Sequence, residues 1–425
     1  MSEWKETPLN KIGSVISGGT PSTTMNEYWN GDILFVTPND LSKCKSAYIE
    51  DTERKISKEG LINSSANLLP PGSVIISSRA PIGYIAVGTK EFTTNQGCKS
   101  IIPNSQYDSL FLYYSFNHHV ENIKRLGAGS TFAEISKSDL ELVRFPHPVS
   151  KTEQRRIAHI LSTCDAVTEK TRQTIAKYKA IKQGMLHDLF TRGIDVSTGK
   201  LRPCYEDAPE LYKETRLGWV PKEWEVLYLK EVVDPIMSNV DKHIKADEVK
   251  VSLCNYMDVY LNRYLTKDVS FDQGSVNVSE LQRFSLKCQD VIITKDSETP
   301  DDIAVPSIVI EEIDNLVCGY HLCVLRSKNQ EILEGEFLLL QLQIPEINNQ
   351  FAIRANGSTR YGLTSESIQN VLLKVPFDIA EQKEISKRLR TINQKLQTEQ
   401  TYLTKLQMLK SGLMGDLLSG RVRVI

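Results

Sequence analysis

Four short stretches carry side chains suited to touching a polyanion or the edges of bases. Ser77-Ser-Arg-Ala-Pro-Ile-Gly83 sets an arginine in a short turn after an apolar, strand-like run. A guanidinium there can donate two hydrogen bonds to guanine O6 and N7, and it suits phosphate or a surface carboxylate equally well. Gly129-Ser-Thr131 and Gly357-Ser-Thr-Arg-Tyr361 offer hydroxyls and backbone N–H groups fit for phosphate oxygens, or else form ordinary turns. Lys295-Asp-Ser-Glu-Thr299 follows a second strand-like run, much as Ser77–Arg79 follows the first, with Lys295 standing where Arg79 would be expected. The candidate contact residues are Ser77, Ser78, Arg79, Ser130 and Thr131 in the first half, and Lys295, Ser297, Ser358, Thr359 and Arg360 in the second.

Catalytic chemistry finds no constellation. There is no Gly-x4-Gly-Lys-Ser/Thr phosphate loop, no Gly-x-Gly-x-x-Gly after a strand and no Gly-x-Ser-x-Gly elbow. An Asn/Asp-Pro-Pro-aromatic motif, which would hold a target amine for methyl transfer, is missing as well. Pro300-Asp301-Asp302 lacks the acid-x-Lys partner of a metal-dependent nuclease. Cys318-Gly-Tyr-His321-Leu-Cys323 has no second ligand pair to complete a structural zinc site, so its cysteines read as buried strand residues. His118 and His119 read as the end of a helix, and Trp4, Trp219 and Trp224 as core aromatics. No catalytic residue, metal or bound cofactor is expected.

The elements that must position the contact stretches are organised by a repeat. Pro148, Glu153, Gln154, Gly184, Asp188 and Leu189 recur as Pro376, Glu381, Gln382, Gly412, Asp416 and Leu417, each pair 228 positions apart. Such a period is too long for a solenoid and marks a half-chain duplication. Each copy reads as one long helix. A proline blocks helix upstream, and Ser150 with Glu153, then Asp378 with Glu381, read as capping boxes. A seam then recurs in alternating steps of four and three, imperfect in the first copy and good in the second; among its apolar members are Ile157, Leu161, Ile175, Tyr178 and Met185 in the first, and Ile385, Leu389, Leu396, Leu403, Leu406 and Leu413 in the second. This heptad seam predicts that the two helices pack on each other, with Lys182 and Lys410 in the same slot.

At 425 residues the chain exceeds one ordinary core. Strand-like runs such as Asp32–Thr37, Ser73–Ser77, Asp290–Thr294 and Leu322–Leu325 alternate with turn clusters. The expected fold class is α+β: two mixed α/β domains separated and joined by two long helices forming an antiparallel intramolecular coiled coil, with pseudo-twofold symmetry. The expected boundaries are 1–147 for the first globule, 148–190 for the first helix, 191–221 for a linker, 222–375 for the second globule, 376–418 for the second helix and 419–425 for a tail. Net charge is −2 overall but uneven. Residues 148–190 and 376–425 each carry +4, residues 1–147 carry −1 and residues 219–375 carry −9. An acidic second globule is poorly suited to binding DNA alone, since backbone affinity rests on neutralising phosphates. No apolar run is long enough to span a membrane, and eight cysteines without framework spacing suit a reducing cytoplasm.

Gly218-Trp-Val-Pro-Lys-Glu-Trp224, Gly129-Ser-Thr-Phe-Ala-Glu-Ile135 before Pro146-His-Pro148, and the duplicated Glu153-Gln154 and Glu381-Gln382 together resemble the DNA-specificity subunit of type I restriction–modification systems, over nearly the whole chain. The resemblance implies a non-catalytic subunit whose two target-recognition domains each read half of a split double-stranded DNA site. It also implies that the helices space these domains and dock two methyltransferase subunits. S-adenosylmethionine, ATP and magnesium would belong to partners: subunits that methylate adenine, and an ATP-dependent restriction endonuclease subunit. A coiled coil suits such spacing, since half-sites one helical turn apart lie about 34 Å apart. The competing reading is a coiled-coil scaffold whose globules bind protein rather than DNA.

Overall fold

The computed structural model describes residues 3–127 and 134–424. Two compact units emerge, one from Met1–Ile175 with Glu399–Ile425, the other from Ala176–Thr398. The long helices, Lys151–Thr191 and Ile379–Leu418, each contribute to both. Among the described residues, no helix is long and apolar enough to cross a membrane.

The two units repeat one topology. In the first, Trp4–Pro8 pairs antiparallel with Arg144–Pro148 and ties together the two ends of the globule. A five-stranded sheet runs in the order Gly13–Ser17, Cys98–Pro103, Val74–Ser77, Ile85–Gly88, Tyr48–Ile49. A three-stranded sheet runs Arg54–Ile56, Trp29–Val36, Phe92–Thr94. In the second unit, Trp224–Tyr228 pairs with Leu372–Pro376. Its five-stranded sheet runs Val233–Met237, Leu322–Ser327, Val291–Thr294, Pro306–Val309, Tyr264–Leu265, and its three-stranded sheet runs Asp272–Val276, Val249–Cys254, Leu316–Cys318. Corresponding pairs share their parallel or antiparallel sense throughout.

The central strands explain the layering. Val74-Ile-Ile-Ser77 and Val291-Ile-Ile-Thr294 are buried at every position, as continuous β-branched runs covered on both faces must be. Successive side chains point to opposite faces. Val74 and Ile76 pack with Phe111, Leu112 and Leu161, while Ile75 packs with Leu34 and Phe92 under the three-stranded sheet. Likewise Val291 and Ile293 pack with Phe337 and Leu389, and Ile292 with Cys254 and Leu316.

Both helix seams are turned inward. Ile157, Leu161, Ile175, Ile385, Leu389, Leu396 and Leu406 are buried, and Tyr178, Met185, Leu403 and Leu413 are half-buried. In the first unit Ile157 and Leu161 share a core with Leu413, Leu417 and Leu418. In the second, Leu186 and Leu189 share one with Ile385 and Leu389. The start of each helix thus packs against the end of the other, an antiparallel arrangement. The two lysine slots differ. Lys410 hydrogen-bonds Asp165, which also accepts from Tyr114 Oη at 2.7 Å. The repeat puts Asn393 where Asp165 would recur, and half-buried Lys182 has Arg263 nearby; burial and that cation depress its basicity.

The glutamates expected to close capping boxes do something else. Ser150 Oγ and Asp378 Oδ1 do accept first-turn N–H groups, from Glu153 at 3.4 Å and Ala380 at 2.8 Å. The Glu153 and Glu381 side chains, however, bind Arg423 and Arg202. The glutamines beside them brace the helix starts: Gln154 and Gln382 each donate to the preceding proline carbonyl at 3.0 Å, and each accepts a backbone N–H at 2.9 Å, from Asp108 and Glu334. Trp224 is fully buried and Trp4 packs on the first core, but Trp219 is 40 % exposed. It lies on a two-stranded hairpin with an open face, stacked on Tyr205 at 4.3 Å.

Candidate nucleic-acid interface

In each unit the chain leaving the central strand meets the chain that follows the Gly-Ser-Thr segment. In the first unit Ser78 N–H donates to Gly97 O at 2.8 Å, Ser78 O accepts from Ile135 N–H at 2.9 Å, and Arg79 bridges to Glu134. In the second, Lys295 N–H donates to His321 O at 3.0 Å, Lys295 O accepts from Leu363 N–H at 2.8 Å, and Asp296 pairs with Gly362. Segments far apart in sequence therefore form one polar tip, twice.

This register corrects the expected correspondence. Thr294 ends its strand where Ser77 does, so Lys295 stands at the place of Ser78 and Asp296 at the place of Arg79. Pairing Lys295 with Arg79 matched two cations by type and slipped by one residue, and such a slip changes the face a strand residue presents. The Lys295 side chain folds back onto its own unit. Its Nζ donates to Ser238 O at 3.1 Å and sits 4.5 Å from the Tyr320 ring centre.

Arg79 is half-exposed, and its Nε donates to Glu134 Oε2 at 2.9 Å. Lys99 lies 3.4 Å from the other carboxylate oxygen. Burial pushes the Glu134 carboxyl up, but the two cations outweigh it and hold it below its ordinary value. Ser77 and Ser78 are completely buried. The Ser77 hydroxyl donates to Pro81 O and accepts from Tyr84 N–H, both at 2.9 Å, so it shapes the arginine's turn rather than facing outward. Ser130 and Thr131 lie outside the described residues. Ser297 is buried and accepts from Thr299 N–H at 3.3 Å. Ser358, Thr359 and Arg360 are exposed on the loop leading into Tyr361–Gly362. Gly357 opens that loop at φ 148°, and a Cβ there would lie 2.0 Å from Arg360 O, so only glycine fits.

The remaining motifs are absorbed by the fold. Cys318 and Cys323 are buried on consecutive strands of different sheets, and burial pushes both thiols up. His321 Nδ1 lies 2.7 Å from Asp296 Oδ2, and Tyr260 Oη donates to Asp302 at 2.9 Å. The pairs Arg79–Glu134 and Asp296–His321 were not anticipated. Aligning Ser73-Val-Ile-Ile-Ser77 with Asp290-Val-Ile-Ile-Thr294 would have exposed Asp296, but neither partner carries a sequence signal of its own.

Two like units, each with a polar tip, define a duplicated recognition module. The chain matches the model of the type I restriction modification DNA specificity domain at residues 1–179 and 221–408. It belongs to that family, as a non-catalytic specificity subunit that recognises DNA and assembles with other restriction–modification subunits. It is 28% identical over 431 residues to the type I restriction enzyme MjaIX specificity subunit of Methanocaldococcus jannaschii, covering 99% of this chain and 94% of that relative. The MjaVIII specificity subunit of the same organism is 22% identical, with 99% and 93% covered. The fold matches the crystal structure of the type I restriction–modification S subunit from M. genitalium with a TM-score of 0.58 at 16% identity, covering 98% of this chain and 96% of that one.

Proposed function

We propose that residues 1–147 and 222–375 are two target-recognition domains, each reading one half of a split double-stranded DNA site through its polar tip. The observation that carries this reading is the charge contrast at equivalent places in one repeated topology: Arg79 in the first unit, Asp296 in the second. Two such tips would read unlike half-sites. Arg79, Ser358, Thr359 and Arg360 are the proposed contacts on the exposed surface. Residues 191–221 would serve as the linker and 419–425 as a tail.

The helical regions, 148–190 and 376–418, would dock the methyltransferase subunits, two per chain. Their net charges, +4 and +2, suit a place near phosphates, while the partners would supply the neutralisation that the acidic second globule lacks. Tyr402, Met408 and Leu409 on the second long helix are exposed, and aromatic and methionine side chains are enriched at protein interfaces. S-adenosylmethionine would sit on those partners, and ATP and magnesium on an endonuclease subunit.

The test is a genome-wide map of N6-methyladenine in cells co-expressing this chain with a methyltransferase subunit. A split, asymmetric motif with a fixed gap that depends on this chain is expected. A stable complex that adds no methylation would overturn the reading in favour of a protein-binding scaffold.

A further inference from the structure

We infer that Asp296 is a specificity-determining residue of the second unit, accepting a hydrogen bond from the exocyclic amino group of a cytosine in the major groove. The inference rests on the DNA-reading role proposed above and deepens it.

The two tips hold their charged residue by exchanged means. In the first, Glu134 lies opposite Arg79 and Gly97 occupies the neighbouring turn. In the second, glycine and partner trade places: Gly362 lies opposite Asp296, and His321 occupies the position of Gly97. Gly362 brings no side chain against the carboxylate, and a Cβ there would lie 3.2 Å from Asp296 Oδ1. His321 grips only Oδ2, at 2.7 Å, and no other side chain among the described residues donates to Oδ1. The second tip thus presents a held acceptor where the first presents a held donor.

That polarity selects the ligand. Phosphates repel a carboxylate, so Asp296 cannot serve backbone positioning, and the donors it can meet on DNA are base amino groups. A carboxylate pairs best with cytosine N4, whereas an amide in its place pairs with adenine N6 and N7. Lys295, bent back to Ser238 O, does not compete for the same base.

The experiment compares the chain with Asp296→Asn, Asp296→Ala and Arg79→Ala, each co-expressed with its methyltransferase subunit, with complex recovery and the methylation motif read together. The unaltered chain should require cytosine at one position of one half-site. Asp296→Asn should move the preference at that position to adenine, and Asp296→Ala should relax it by roughly tenfold to a hundredfold. Arg79→Ala should relax the other half alone. If both Asp296 variants assemble and leave the motif unchanged while Arg79→Ala relaxes it, the Asp296 assignment fails and the DNA-reading role stands. If the unaltered chain directs no motif, the role itself fails and takes the assignment with it.

Discussion

Arg202 grips Glu381 at two points, Nη1 to Oε1 at 2.5 Å and Nη2 to Oε2 at 3.0 Å, across 179 residues of sequence. Trp224 Nε1 at 3.2 Å and the Ile194 N–H at 2.7 Å converge on the same Oε1. The first unit repeats the clasp: Arg423 donates through Nε and Nη2 to Glu153 at 2.9 and 3.1 Å, beside Trp4. In both cases the glutamate at the start of one long helix holds the chain that has just left the other. Left-handed glycines, Gly193 and Gly420, turn the chain close against the tryptophans, where a Cβ would lie 2.7 and 2.8 Å from the rings.

Glu381 is almost wholly buried and Arg202 nearly so. Removing one partner of a buried pair strands the other charge, at a cost of about 3 kcal/mol. Glu381→Ala should lower the denaturation midpoint accordingly. An unchanged midpoint would mean that the clasp adds nothing to stability.

The Glu153 clasp makes stability depend on pH. Burial pushes this carboxyl up, but the Arg423 guanidinium outweighs it and the folded value lies below the ordinary one. A group lowered on folding contributes stability above its unfolded value, about 4.3 for glutamate, and loses it as pH falls through the folded value. Glu153→Gln should therefore be less stable than the parent at neutral pH, with the gap closing in acid. Parallel pH–stability curves would contradict this.

The lysine slots should respond oppositely. Lys182 is held against burial and against Arg263, so Lys182→Met should raise the melting temperature. Lys410→Met leaves Asp165 without its cation and should cost about 1 kcal/mol, modest because both groups are partly exposed. Equal shifts in one direction would sink the distinction.

Leu396 is buried on the helix seam and Leu403 half-buried. Aspartate at both sites places charge on an apolar seam and should abolish recovery of a complex with the methyltransferase subunit, read by co-purification. Full recovery would remove the helices from the docking model.

Arg79 pairs with Glu134 at a half-exposed position, where such pairs contribute about 0–1 kcal/mol. Arg79→Ala should therefore leave the melting temperature nearly unchanged and the complex intact while relaxing one half-site. Loss of assembly would make the arginine structural.

The sequence by itself determined the duplication, the two long helices, their inward seams and the α+β class. The duplication shows as matches at one fixed offset of 228 positions, and the rest depends on residues a few positions apart: proline blocks, heptad spacing and β-branched runs act through the backbone's own geometry. Tertiary structure alone decided which arginine meets Glu381, that Ser77 and Ser297 turn inward, and that Asp296 rather than Lys295 stands at the place of Arg79. The serines turn inward because the strands they end are covered, while the register and the arginine pairs rest on contacts between segments 55 to 270 residues apart. Such contacts leave no local period to read, because the backbone near each residue is compatible with many distant partners and only packing of the whole unit selects one.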